Sequence, residues 1–80
     1  MLLPIGYQAT VCTNRIVSIL PYGSAPIKRM IEEAYEEKKT INATKNKATR
    51  SVIITDSNHV ILSAIEPNTL KRRLEEGLGR

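Results

Sequence analysis

A short apolar strand followed at once by a capped helix constrains the fold of this sequence more than any other feature. Residues 16–20 are mostly aliphatic and rich in β-branched side chains, which predicts a strand. Pro21 and Gly23 interrupt it, because proline lacks an amide donor and glycine tolerates left-handed geometry. Ser24 can then cap a helix, and Pro26 suits the first helical turn. We expect this helix, with one apolar face, to end near residues 38–39.

The rest of the chain adds more strands and a second helix. Residues 2–12 indicate one or two short strands, and residues 40–44 and 50–55 indicate two more, joined by a basic turn at residues 45–48 that we expect to be a hairpin tip. Residues 50–65 predict an antiparallel hairpin, in whose turn Asp56 has the position of a capping carboxylate. Pro67 begins a helix with leucines every four residues. This order predicts an α+β fold, with two helices on a largely antiparallel sheet.

Length and composition limit the size and the surroundings of this fold. With 80 residues we expect one small domain over residues 1–80, for which self-association is a common source of added stability. Without Phe or Trp, the core must be aliphatic. Cys12 is the only cysteine, which fits a reducing cytoplasm, and we expect it to be a buried or half-buried thiol. No apolar run approaches the roughly 20 residues of a membrane span, so we expect no membrane partner.

The basic residues favour an anionic partner through their arrangement more than through their sum. The net charge is only +4, but five bases and no acid occur between residues 38 and 51. Lys45 and Lys47 on a tight turn could reach phosphates, or could simply keep a sheet edge soluble. Arg15 begins an apolar strand after a polar turn, where it could grip phosphate or enter a minor groove. An ion pair with a glutamate of the first helix explains Arg15 equally well.

Catalysis has little support in the sequence. His59 lies beside a turn with no nucleophile at a suitable spacing, which favours a structural role. The sequence has no cluster of metal ligands and no glycine-rich phosphate loop. We therefore expect a protein that is not an enzyme and has no metal, cofactor or small-molecule substrate.

Four segments resemble the bacterial extracellular matrix regulatory protein family, RemA. They are Asn14-Arg15-Ile16-Val17, Ser24-Ala25-Pro26-Ile27-Lys28-Arg29-Met30-Ile31, Thr49-Arg50, and residues 56–64. The likeness extends over residues 5–74 without gaps in spacing. It implies a transcriptional regulator that binds duplex DNA, in the founding member an activator of biofilm matrix genes. It also implies a homo-oligomeric ring whose subunits are similar to LytTR-type DNA-binding domains.

The resemblance also implies roles for particular residues. Arg15 falls on an arginine that the family uses for DNA binding, and Pro26 falls on a proline needed for activity, which we interpret as structural. The family usually has a glycine and two arginines before Thr49-Arg50, whereas this chain has Asn46, Lys47 and Ala48. Lys47 keeps the charge without the fork geometry of arginine. The predicted DNA contacts are therefore Arg15, Lys47 and Arg50, with Lys45 as a charge at the rim.

Two further functions remain open on the sequence alone. A ring that has lost DNA binding and acts as a scaffold through protein contacts would explain the missing arginine at Ala48. An RNA-binding protein ranks last, since no aromatic residues are interleaved with the basic turn to stack on bases.

Overall fold

Alternating strands and two amphipathic helices build a layered α+β unit. The computed structural model describes residues 2–6 and 8–78. They form strands β1 (Leu2–Gly6), β2 (Ala9–Cys12), β3 (Ile16–Pro21), β4 (Thr40–Ala43), β5 (Ser51–Thr55) and β6 (Val60–Ser63), helices α1 (Ala25–Glu36) and α2 (Pro67–Leu78), and a 3-10 turn at Thr13–Arg15. The predicted α+β class with two helices is confirmed, with strand and helix ends shifted by up to three residues.

The main sheet has four strands in the order β3-β5-β6-β4. Strand β5 pairs antiparallel with both β3 and β6, which confirms the hairpin predicted for residues 50–65. Strand β4 pairs with β6 instead, in parallel, with Thr40 opposite Val60 and Ala43 opposite Ser63. The expectation that residues 45–48 are a hairpin tip is therefore wrong. They form a turn that leads from the edge strand β4 past β6 to β5.

The side chains of the sheet alternate between two aliphatic clusters, one on each face. On one face, Val52 and Val60 are buried against Ala34 of α1. On the other face, Ile53 and Ile61 are buried with Leu70 of α2. The strand period of two thus directs neighbouring residues to opposite helices. The sheet lies between α1 on one side and α2 with the β1–β2 hairpin on the other.

Helix α1 begins as the sequence predicts and ends earlier. The hydroxyl of Ser24 accepts a hydrogen bond from the Ile27 amide at 3.4 Å, and Pro26 lies in the first turn. The helix ends at Glu36, because Lys38 adopts a left-handed conformation with φ of 61°. The Lys39 amide then donates to the carbonyl of Ala34 at 2.8 Å. This bond satisfies a carbonyl in the last turn of the helix and directs the chain toward β4.

The β1–β2 hairpin closes the second face of the sheet. Leu3 and Ile5 are buried in the cluster around Leu70. The Ser63 hydroxyl donates to the Ile5 carbonyl at 2.6 Å, a buried bond that fastens the hairpin to the end of β6. Cys12 is exposed, so its predicted burial is wrong. In β2 the alternation places Val11 toward the core and therefore Cys12 toward solvent.

Candidate nucleic-acid interface

The turn between β4 and β5 presents bases on a backbone that is anchored at both ends. At its start, the amide and hydroxyl of Thr44 both donate to Asn42 Oδ1, at 2.9 and 2.6 Å. At its end, the Arg50 amide donates to the Ser63 carbonyl at 2.8 Å. Between these anchors, Lys45 and Asn46 take left-handed conformations, with φ of 51° and 66°. The side chains of Lys45, Lys47 and Arg50 are exposed.

Arg50 is paired with an acid that sequence reasoning missed. Its Nη1 lies 2.8 Å from Glu66 Oε1, and both side chains are 59% exposed. Glu66 immediately precedes α2, so the pair joins the basic turn to the start of that helix. The contact uses one donor of a guanidinium that has five, so Arg50 keeps donors that could reach a phosphate.

Arg15 is held at the turn between β5 and β6. Its carbonyl accepts from the Asp56 amide at 2.9 Å, and its Nε donates to Asp56 Oδ1, also at 2.9 Å. This contact replaces the pair with a helix glutamate that the sequence left open. It also corrects the role expected for Asp56, whose carboxylate binds Arg15, while the amide of Asn58 donates to the Thr55 carbonyl to close the turn.

The predicted DNA contacts lie at two ends of the sheet. Ser51 is opposite both Pro21 and Ser63, and Ser63 is opposite Ala43, which brings Lys45, Lys47 and Arg50 to one end. Arg15 precedes Ile16, whose partner Thr55 is the last residue of β5. The six residues of β3 lie between Arg15 and Tyr22, which bonds Arg50, so Arg15 and Arg50 are roughly 20 Å apart along the strand. One subunit brings three of the four predicted contacts together and holds the fourth apart.

Two further residues adjoin the basic end and were not predicted as part of the site. The Tyr22 amide donates to the Arg50 carbonyl at 3.1 Å, and the Tyr22 ring is partly exposed. Lys28 Nζ lies 5.8 Å from the centre of that ring, within range of a cation–π contact. The pairing of β3 with β5 creates this neighbourhood, so no local sequence signal could have revealed it. Pro26 lies in the same first turn of α1 as Lys28.

His59 has a partner within its own turn. Its Nδ1 lies 2.7 Å from the Ser57 hydroxyl, which in turn contacts the Thr55 hydroxyl at 2.9 Å. The His59 amide donates to Thr55 Oγ1 at 3.2 Å. These bonds hold the turn that carries Asp56, and so they support the position of Arg15.

The described residues contain no group of three or more His, Cys, Asp or Glu side chains placed to hold a metal ion. Within residues 2–6 and 8–78, neither helix has the length and apolar character needed to cross a bilayer.

Comparison with known proteins assigns the chain to a family. Residues 2–74 match the model of the RemA-like family, described as extracellular matrix regulatory protein A-like. A protein of Brevibacillus brevis is 52% identical over 91% of this chain and 85% of its own length. Proteins of Fervidobacterium nodosum (47% identical, over 96% of this chain and 83% of that protein) and Desulforudis audaxviator (55%, over 91% and 77%) are similar. All three bear the name "Putative regulatory protein". The chain therefore belongs to the RemA-like family of bacterial regulatory proteins.

Proposed function

We propose that this protein is a homo-oligomeric DNA-binding transcriptional regulator of the RemA type. It acts in the cytoplasm without enzymatic activity, and its subunits are LytTR-like domains assembled into a ring. By resemblance, its targets include biofilm matrix genes. One observation carries the proposal: Lys45, Lys47 and Arg50 are exposed on a turn whose backbone is fastened at both ends. A fixed backbone reduces the entropy lost when these side chains bind phosphates.

Arg15 extends the proposed contact surface. It lies too far from the basic turn to share one phosphate with it, but a duplex crossing several subunits can meet both ends of the sheet. Each contact is weak, and repetition around a ring adds many of them along one duplex. Ring assembly and DNA binding are thus parts of one mechanism in this proposal, since a single subunit offers few contacts.

A second candidate function is a ring-shaped scaffold that has lost DNA binding. It is favoured by Ala48, which stands where the family usually has an arginine. It is also favoured by Asp56 and Glu66, whose carboxylates already engage Arg15 and Arg50. A negative charge beside each arginine opposes the approach of a phosphate.

The deciding experiment is fluorescence anisotropy of a labelled AT-rich duplex titrated with the protein at several salt concentrations. DNA binding predicts an affinity that falls steeply with salt, with a log–log slope of about −0.9 per phosphate neutralised. Absence of binding at low salt would instead support the scaffold. Preference for single-stranded RNA over the duplex in a competition assay would contradict both.

Arg15→Ala tests the arginine to which the proposal gives the most specific role in DNA binding. We expect this variant to lose affinity at least several-fold, because the arginine can donate several hydrogen bonds to phosphate. Its free energy of unfolding should change by less than about 1 kcal/mol, since the pair with Asp56 is exposed. Arg29→Ala is the matched control, as it removes the same charge from an exposed site on α1. Equal affinities of the two variants would remove Arg15 from the interface.

A further inference from the structure

Helix α1 leaves an open groove beside the edge strand β4. The groove has a volume of about 490 Å³, and its walls include Ile31, Tyr35 and Leu62. A second hollow of about 510 Å³ shares Tyr35, Glu36 and Thr40 with the groove and is also lined by Lys38. Tyr35 is 73% exposed, a large aromatic surface left in water. In the described part of the chain, the hydroxyl of Thr40 is buried at this groove without a hydrogen-bond partner.

The rim of this groove is acidic in a chain that is otherwise basic. Glu32 and Glu36 line it, whereas Glu33 of α1 and Glu37, the residue after the helix end, do not. Apart from Glu32 and Glu36, the sequence has six acids against twelve bases. The acidic rim therefore complements the surface of a second copy of this chain, because that surface carries most of the bases.

Exposed bases lie on α2, on the opposite side of the sheet from this groove, and the exposed acids Glu75 and Glu76 follow them one turn later. Lys71 and Arg72 are exposed on α2, which packs on the face of the sheet opposite α1. A contact between α1 of one copy and α2 of the next joins two different surfaces. Such a contact repeats from copy to copy and closes into a ring when the rotation permits.

We infer that the groove between α1 and β4 is the docking surface for a second copy of this chain. Tyr35 is its apolar centre, and Glu32 and Glu36 face Lys71 and Arg72 of the second copy. This inference rests on the self-association in the proposed function and names the surfaces that produce it. It does not depend on DNA binding.

Paired charge reversals test the contact. We expect Glu32→Lys/Glu36→Lys to be monomeric, because its groove now repels α2 of every copy. We expect Lys71→Glu/Arg72→Glu to be monomeric for the converse reason. An equimolar mixture should assemble in strict alternation, because each groove then meets an α2 of opposite charge. Size-exclusion chromatography with light scattering measures the mass, and circular dichroism confirms that each variant is folded.

Glu33→Lys/Glu37→Lys is the control for the groove variant. It changes the net charge equally at the adjacent positions, but neither residue lines the groove, so we expect it to assemble like the unmodified protein. Tyr35→Ser should weaken assembly without any change of charge. A monomeric unmodified protein, charge variants that assemble normally alone, or a mixture that stays monomeric would each overturn the inference. Anisotropy of the duplex with the unmodified protein reports DNA binding separately, so failure of that function is distinguished from failure of this interface.

Discussion

Each of the two arginines in the candidate interface already has one carboxylate partner. Arg15 binds Asp56 through Nε, and Arg50 binds Glu66 through Nη1. Pairs this exposed contribute only about 0–1 kcal/mol to stability. Their larger effect is on the orientation of the arginine side chain, because a carboxylate restricts the rotamers of a long flexible side chain. The partner therefore orients the guanidinium while adding a negative charge that a phosphate must overcome.

A single substitution at Ala48 should raise the affinity for DNA. It is exposed on the basic turn, where a longer side chain meets no packing constraint. We expect Ala48→Arg to raise affinity for the duplex about tenfold, since a hydrogen bond to a charged group contributes roughly 1.5–3 kcal/mol. The salt dependence should steepen by about 0.9 in log–log slope. Anisotropy measures both quantities. Ala48→Gln is the uncharged control, and a slope unchanged by arginine would count against phosphate contact at this turn.

At the scale of the element, the end of α1 decides where β4 begins. Lys38 holds a left-handed conformation that glycine adopts with least strain, yet the sequence has a lysine there. The bond from the Lys39 amide to the Ala34 carbonyl depends on this conformation. One strained residue therefore sets the direction of the chain into the edge strand and its groove.

Replacing Lys38 tests this strain. Lys38→Gly and Lys38→Ala both remove the charge, but only glycine relieves the clash of the β-carbon. We expect the glycine variant to be more stable than the alanine variant by about 1 kcal/mol. Urea unfolding followed by circular dichroism gives the difference. A more stable alanine variant would show that residue 38 is not left-handed in solution.

Helix α2 depends on one buried anchor. Leu70 is completely buried in the cluster that joins the sheet, α2 and the β1–β2 hairpin. We expect Leu70→Ala to lower the free energy of unfolding by about 2–5 kcal/mol, because truncation leaves a cavity in this cluster. Leu74→Ala is the control, since Leu74 is only partly buried and should cost less. Chemical denaturation of both variants makes the comparison, and equal losses would mean that Leu70 is not the anchor.

At the scale of the whole molecule, charge is divided between one acidic helix segment and a basic remainder. Four of the eight acids lie in one six-residue segment, residues 32–37, at the end of α1. A small domain with an open edge strand and an exposed tyrosine can gain stability by covering them with a second copy. In such a molecule, folding and assembly are thermodynamically linked.

This linkage predicts a melting temperature that depends on protein concentration. Assembly favours the folded state by mass action, so dilution should lower the melting temperature of the unmodified protein. Glu32→Lys/Glu36→Lys, as a monomer, should melt at the same temperature at every concentration. Differential scanning fluorimetry over a hundredfold range of concentration makes the comparison. If the melting temperature of the unmodified protein does not change on dilution, self-association does not stabilise the fold.

Local signals in the sequence were enough for most elements and insufficient for the site. Ser24 and Pro26 predicted the start of α1, because helix caps depend on neighbouring residues alone. The pairing of β4 with β6 could not be predicted, since parallel strands meet across long connections. The bond between Arg15 and Asp56 joins residues 41 positions apart, and the sequence offered the helix glutamates as equal partners. Cys12 could have been placed correctly from its neighbour Val11 in an alternating strand.

The bond from Ser63 to the Ile5 carbonyl has a consequence for protein synthesis. Ile5 is translated well before Ser63 and Leu70, but its burial requires both of them. The β1–β2 hairpin therefore waits with its apolar face exposed while about sixty more residues are translated. A nascent chain halted within β5 would display that face to chaperones. Completion of the fold is accordingly a late event, governed by the arrival of α2 rather than by the order of the strands.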